Sequence, residues 1–107
     1  MLCTSYLLNY TDIDESYKKC VDIIMYLKGH RLYYIGATNN PEQRLLQHIE
    51  EKNMHNMYLL CRVPTQSKTK SLESKLIKRF DNRECINQAG GGEGITEGEN
   101  YIYILFN

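Results

Sequence analysis

The side chains best suited to chemistry lie in one stretch of the 107-residue chain, residues 32–48. Tyr34 offers a phenol there, and Arg44 and His48 follow it with a guanidinium and an imidazole. Arg44 and His48 are four residues apart, so a helix would carry them on one face. A phenol, a guanidinium and an imidazole held together suit an anionic oxygen, and phosphate is the leading candidate.

The residues around these side chains predict a strand, a turn and a helix. Residues 32–35 are apolar, β-branched or aromatic, which favours a strand. Gly36 permits either a turn or the close approach of another group to the backbone. Asn40 is a helix-capping residue type, and Pro41 suits the first helical position. The strand would carry Tyr34 to the turn, and the helix would direct its two polar side chains back toward it.

Two polar residues outside this stretch are further candidates. Glu73 lies among lysines on a predicted helix, where it is either a surface ion-pair partner or a ligand for a divalent cation. Asn87 precedes the glycine-rich residues 88–94 and could bind backbone in a turn. The glycine-rich run lacks a following helix and the GK[ST] ending, which excludes a nucleotide P-loop.

The charges of the chain balance, with 13 basic and 13 acidic residues. Zero net charge argues against strong non-specific binding to nucleic acid. Between Arg62 and Arg83, however, seven basic residues outnumber two acidic ones, which leaves +5 on that segment. This segment is either a solvated helix face or a basic surface for a polyanion. The lysines expected to contact phosphates are Lys68, Lys70, Lys75 and Lys78.

The hydrophobic patterning predicts a single α+β domain over residues 1–107, a small, mainly antiparallel β-sheet flanked by helices. The predicted strands are residues 2–9, 32–35, 57–63 and 101–106, with a short extended segment at 84–87. The predicted helices are residues 12–28, 41–53 and 67–81. For the first helix the alternative is a hairpin that turns at Gly29-His30, with residues 23–27 as its first strand.

The composition predicts an intracellular protein, in the cytoplasm or nucleus. No apolar run approaches the roughly 20 residues of a membrane helix, and the first residues lack the positive segment of a secretory signal. Abundant Asn, Ile, Lys and Tyr fit an AT-rich genome, such as that of a virus or phage. The cysteines form no CxxC pair and sit in apolar patterns, which predicts reduced core thiols at Cys3, Cys20, Cys61 and Cys85.

The candidate residues, in this order and spacing, resemble the GIY-YIG nuclease domain over residues 32–92. The run YIG-x-T-x-x-P-x-x-R-x-x-x-H is most similar to the Slx1-like branch of that family. The matching residues are Tyr34-Ile35-Gly36, Thr38, Pro41, Arg44, His48, Glu73 and Asn87. The resemblance implies the GIY-YIG endonuclease fold and hydrolysis of DNA phosphodiester bonds, as in DNA repair or recombination. Because the chain shows no recognition module, we expect structure-directed or weakly sequence-specific cleavage, or a protein partner that supplies specificity.

The resemblance also implies a role for each matched side chain. Glu73 would hold one Mg²⁺ or Mn²⁺ ion on a phosphate oxygen. Arg44 would neutralise charge that develops on the phosphoryl oxygens. His48 would orient a tyrosine or the attacking water, or relay its proton. Asn87 would maintain the shape of the site.

The first motif of the family is where the sequence departs from the pattern. There is no Gly-Ile-Tyr, and the short hairpin expected ahead of Tyr34 is not readable. Tyr6 is the favoured candidate for the first tyrosine, with the predicted helix as an insertion, and Tyr26 is the alternative. The chosen tyrosine would flank the attacking water together with Tyr34. If neither reaches the site, the competing function is a catalytically impaired module that binds nucleic acid or protein.

Overall fold

The computed structural model describes residues 1–80 and 95–107. In these residues three helices flank a mixed sheet of five strands with the order β1-β4-β5-β3, in which β2 also pairs with β4. The predicted α+β class is thereby confirmed. The elements are β1 (Leu2–Cys3), β2 (Leu8–Asn9), α1 (Ile13–Lys28), β3 (Tyr33–Thr38), α2 (Pro41–Lys52), β4 (Asn56–Val63), α3 (Gln66–Arg79) and β5 (Asn100–Phe106).

Strand β5 occupies the middle of the sheet. It pairs antiparallel with β3 on one side and with β4 on the other. The short strands β1 and β2 both run parallel to β4. They replace the single strand predicted at residues 2–9, because a turn in which the Leu7 amide donates to the Thr4 carbonyl (3.1 Å) interrupts it. Among the described strands, β3 is therefore an edge strand and carries the YIG motif.

The two faces of the sheet pack against different helices. Successive strand residues point to opposite faces, so β5 contributes Ile102 and Ile104 to one hydrophobic cluster and Tyr103 and Leu105 to another. Buried residues of α1 and α3 belong to the first cluster. Leu45 of α2 belongs to the second. Side chains of β3 and β5 that share the face of Tyr103 therefore meet α2.

The helix predicted at residues 12–28 is confirmed, and the alternative hairpin is wrong. Asp12 caps α1 by accepting a hydrogen bond from the Glu15 amide (2.8 Å). Gly29, at φ +51°, follows its last residue. The buried side chains of Cys20 and Ile24 attach the helix to the sheet. A helix, and not a strand, thus immediately precedes β3.

The second and third helices also form close to their predicted bounds. Asn40 caps α2 through the Gln43 amide (3.3 Å), and Thr65 caps α3. Leu46 lies on the outer side of α2 and is 64 % exposed. The predicted end of the third helix at residue 81, the extended segment 84–87 and the glycine-rich run 88–94 lie outside the described residues.

The described cysteines Cys3, Cys20 and Cys61 are unpaired thiols, and Cys85 lies outside the described residues. A membrane span would require a longer and more apolar helix than any in the described part of the chain.

Candidate active site

Three rings meet on the α2 face of the sheet, and we call Tyr34, His48 and Tyr103 the ring cluster. The centroid of the His48 ring lies 4.9 Å from that of Tyr34 and 5.7 Å from that of Tyr103. The two tyrosine rings stack with their centroids 6.3 Å apart. Antiparallel register explains their proximity, because Tyr103 pairs with Gly36, two residues beyond Tyr34 on the same face.

Gly36 leaves the space that the phenol of Tyr103 occupies. A Cβ atom at Gly36 would lie 2.4 Å from Oη and 2.6 Å from Cζ of Tyr103. Both separations are far below van der Waals contact. Gly36 itself lies within β3, so of the two uses predicted for it, a turn and a close approach, the structure has the close approach.

His48 is 3 % exposed and bonded to the neighbouring phenol. Its Nε2 lies 2.7 Å from the Tyr103 hydroxyl. Burial, followed by the positive charges of Lys52 and Arg44, lowers the pKa of His48 to about 4. The imidazole is therefore neutral at pH 7. Its Nδ1 has no hydrogen-bond partner among the described residues.

Glu73 reaches the same region from α3, which packs against the edge strand β3. Its side chain is 4 % exposed. Burial raises the pKa of Glu73 to about 7, and the nearby Arg44 guanidinium partly opposes this rise. Tyr103 is influenced by both groups: burial raises the pKa of its hydroxyl, Tyr34 and Glu73 raise it further, and Arg44 lowers it.

The structure thus brings together four of the predicted side chains: Tyr34, Arg44, His48 and Glu73. Arg44 acts electrostatically on both His48 and Glu73, which come from different helices. Among these groups the guanidinium supplies a fixed positive charge, the imidazole is neutral, and the carboxyl group titrates close to neutrality. Such a set can bind an anionic oxygen and exchange protons near it.

Lys52 adds a second positive charge at the cluster. Its Nζ lies 5.2 Å from the centroid of the Tyr34 ring, within the range of a cation–π interaction. It also lowers the pKa of His48. Lys52 lies in the last turn of α2, four residues after His48 and therefore next to it on the face that also carries Arg44. The sequence interpretation did not single it out.

Neither tyrosine considered for the first motif lies in the ring cluster, and the prediction that Tyr6 joins Tyr34 is corrected here. The ring of Tyr6 lies 6.2 Å from those of Tyr26 and Tyr58. Tyr58 packs against the cluster beneath α1 and α3, which is the opposite face of the sheet from α2. Tyr26 lies on α1 and is 77 % exposed. The remaining predicted residue, Asn87, lies outside the described residues.

Two of the four predicted DNA-binding lysines lie against α1 or the residues just ahead of it. Lys75 Nζ lies 3.8 Å from the Asp14 carboxylate and 4.5 Å from the centroid of the Tyr17 ring. Lys68 Nζ lies 5.5 Å from the centroid of the Tyr10 ring. Lys68 and Lys75 are seven residues apart on α3 and hence on one side of it. This side carries interactions between α3 and the preceding part of the chain.

The other two lysines are exposed on α3 away from those contacts. Lys70 precedes Glu73 by three residues, so the two lie on adjacent positions of the helix surface. Lys78 is exposed near the C-terminal end of the same helix.

The donor set fits a single divalent cation held mainly by water and substrate. No group of three or more His, Cys, Asp or Glu side chains gathers in the described part of the chain. Glu73 offers one buried carboxyl group, and Mg²⁺ is often bound through one or two carboxylates together with waters and phosphate oxygens.

The fold matches what the resemblance implies, and comparison with protein families agrees. The model of the GIY-YIG catalytic domain matches residues 18–85, which is well over half of the chain. The chain therefore belongs to the GIY-YIG family. The matched interval starts inside α1 and stops ahead of β5, so it excludes Tyr6 and Tyr103 alike. No curated protein and no solved structure matches the chain.

Tyr103 is the residue of the cluster that the sequence interpretation missed. The alternation Tyr101-Ile102-Tyr103-Ile104 was available as a signal, since period-two alternation puts both tyrosines on one face of a strand. The alternation does not predict which strand lies beside β5, because β5 pairs with β3 across more than sixty residues of chain.

Proposed function

We propose that this member of the GIY-YIG family is a metal-dependent DNA endonuclease that hydrolyses phosphodiester bonds. The observation that carries the proposal is the convergence of Tyr34, Arg44 and Glu73 around one region, although they come from a strand and two different helices. Burying a carboxyl group to 4 % exposure costs stability, so packing alone does not account for Glu73 at this place.

Binding and charge stabilisation would fall to Arg44 and Glu73. Arg44 would donate hydrogen bonds to the phosphoryl oxygens, where a preorganised donor stabilises the transition state by a few kcal/mol. Glu73 would hold one Mg²⁺ or Mn²⁺ ion, which when bound supplies Lewis-acid charge at the phosphate. Because both side chains are present before substrate binds, little reorganisation is needed.

Proton handling would fall to the ring cluster. Tyr34 is half-buried and is the cluster phenol with access to solvent. It would contact the attacking water, while the neutral His48 orients the rings and accepts or relays a proton. Lys52 above the Tyr34 ring would add a positive charge beside this phenol.

The exposed lysines of α3 would contact phosphates and not bases, so they would position DNA without reading sequence. The same proposal includes cleavage that is structure-directed or weakly sequence-specific, with a protein partner that supplies specificity. It also includes a role in DNA repair or recombination and membership of the Slx1-like branch. Their support is the run from Tyr34 to His48.

Plasmid nicking tests the proposal. Wild-type protein with Mg²⁺ should convert supercoiled plasmid to the nicked form, and EDTA should stop the reaction. Glu73→Gln should abolish nicking while the protein stays folded, because the substitution keeps side-chain volume and removes the carboxylate. Glu50→Gln, an exposed glutamate on α2, is the matched control and should nick normally.

The competing function, a binding module that retains the fold, predicts DNA binding without nicking. Such a module would shift DNA in a gel at low salt yet leave plasmid intact with either metal ion. Undiminished nicking by Glu73→Gln would remove the assignment of Glu73 as the metal ligand.

A further inference from the structure

We propose that strand β5 supplies the second tyrosine of the site, Tyr103, and that the domain is a permuted GIY-YIG fold in which the first-motif strand follows the YIG strand along the chain. Tyr103 is inferred to be a positioning residue that holds His48 and Tyr34 in place. The inference rests on the proposed nuclease function and goes beyond it, since neither the sequence motif nor the family match includes β5.

The topology is the first support. The resemblance implies a short hairpin whose first strand pairs antiparallel with the YIG strand. Strand β5 has this pairing with β3 over the full length of β3, and Phe106 lies opposite Tyr33. The end of β5 is therefore adjacent to the start of β3, where a hairpin turn of two to five residues would join them in the other chain order. The sheet position expected for the missing strand is occupied by β5.

The packing of Tyr103 is the second support. Its side chain is 1 % exposed and lies across Gly36, where any Cβ atom would collide with it. A phenylalanine would fill the same space without needing a hydrogen-bond partner. The chain instead places a phenol there, bonded to a buried imidazole whose other nitrogen lacks a partner among the described residues. Leaving a buried polar group unpaired costs about 1–3 kcal/mol, so stability alone does not account for the pair.

The exposure of the two phenols separates their roles. Tyr34 is half-buried, whereas Tyr103 is buried behind it, with the ring of His48 between α2 and the sheet. A substrate can therefore touch Tyr34 directly, while Tyr103 acts through the side chains it contacts. Its hydroxyl fixes the His48 ring through Nε2, and its ring stacks on Tyr34.

Steady-state nicking kinetics combined with DNA affinity test the inference. Tyr103→Phe keeps the ring and removes the hydroxyl, so we expect kcat to fall about 100-fold, as small misplacements of a reacting group do, with the Kd for DNA unchanged. Tyr6→Phe and Tyr101→Phe are matched controls outside the ring cluster. Tyr101 lies on the same strand, and its hydroxyl donates to Glu99. Both controls should keep wild-type kcat.

A double-mutant cycle separates positioning from a general loss of structure. If Tyr103 acts through His48, the Tyr103→Phe/His48→Gln double variant should lose no more kcat than the worse single variant. Independent losses that multiply would overturn the positioning role. Side-chain ¹⁵N NMR supplies a readout without activity, because Tyr103→Phe should shift the Nε2 resonance of His48 while Tyr6→Phe leaves it in place.

The outcomes of this experiment distinguish the two proposals. Wild-type protein that fails to nick under any metal condition overturns the nuclease function and this inference with it. Active wild-type protein whose Tyr103→Phe variant nicks normally, or whose Tyr6→Phe variant loses activity, overturns the permuted site alone. If Tyr103→Phe proves unfolded, tyrosine fluorinated on its ring at position 103 keeps the hydroxyl and makes it a stronger hydrogen-bond donor. The Nε2 resonance of His48 should then shift, and an unmoved resonance would overturn the inference.

Discussion

Replacing Gly36 with alanine should displace Tyr103 from the ring cluster, because the added methyl group needs the space that the phenol occupies. The added Cβ would lie 2.4 Å from the Tyr103 hydroxyl and 2.6 Å from its ring carbon. Relief of this overlap requires the phenol to move by about 1 Å, since carbon and oxygen atoms pack no closer than roughly 3.4 Å. A movement of that size would lengthen the 2.7 Å bond to His48 beyond hydrogen-bonding distance.

The expected loss of stability follows from these two effects. Overpacking of a core costs about 1–3 kcal/mol, and the orphaned His48 and Tyr103 groups cost about 1–3 kcal/mol more. Alanine returns about 0.4–1 kcal/mol by restricting the unfolded chain. Gly36→Ala should therefore lower the free energy of unfolding by about 1–6 kcal/mol.

Urea denaturation at pH 7.5 measures the loss, and two further variants identify its source. In a Tyr103→Leu background the phenol is absent, so adding Gly36→Ala should cost less than about 1 kcal/mol. Gly98→Ala, at an exposed glycine with no atom within 4 Å of the added Cβ, should change stability by less than about 0.5 kcal/mol. An equal cost of Gly36→Ala in both backgrounds would refute the contact between Gly36 and Tyr103.

Three other expectations concern charge. Arg44→Ala should reduce kcat for nicking far more than DNA affinity, and a loss confined to affinity would contradict its assignment to the transition state. Protonation of the buried His48 should destabilise the fold as pH falls from 6.5 to 4, whereas protonation of Glu73 should stabilise it as pH falls from 7 to 4.5. In Glu73→Gln only the effect of His48 remains. Urea denaturation at a series of pH values should then show a larger loss of the free energy of unfolding between pH 6.5 and 4, about 3 kcal/mol. Replacing Lys70 and Lys78 with glutamine should weaken DNA binding and flatten its salt dependence, and unchanged fluorescence-anisotropy titrations across a salt series would exclude these lysines from the interface.

Much of the local structure is determined by short-range signals that are readable in the sequence. The Asp12 cap and Gly29 define α1 within one residue of the predicted bounds. Pro41 at the start of α2 and the four-residue spacing that follows it place Arg44 and His48 as expected. These features depend on hydrogen bonds and sterics between neighbours along the chain, so no knowledge of the tertiary fold is needed.

The tyrosine that packs beside Tyr34 could not be predicted in this way, because its position depends on strand pairing between distant segments. Tyr6 and Tyr26 were considered because they precede the YIG motif, as the family order implies. The pairing of β3 with β5 depends instead on which strand can bury Tyr103 on one face and Ile102 on the other. Alternation within a strand indicates two faces but not the neighbour, so the sequence alone left the position of this tyrosine undetermined.

The placement of β5 also affects how the protein folds during synthesis. Strands β3 and β4 make their antiparallel contacts with β5 and not with each other. A ribosome that has made residues 1–94 has produced β3 and β4, yet the strand with which both pair antiparallel is still missing. Pairing over such a sequence separation is slow to nucleate. Until β5 is made, β3 therefore has no strand partner and β4 has one open edge, so the nascent chain exposes apolar strand surface that is prone to aggregation.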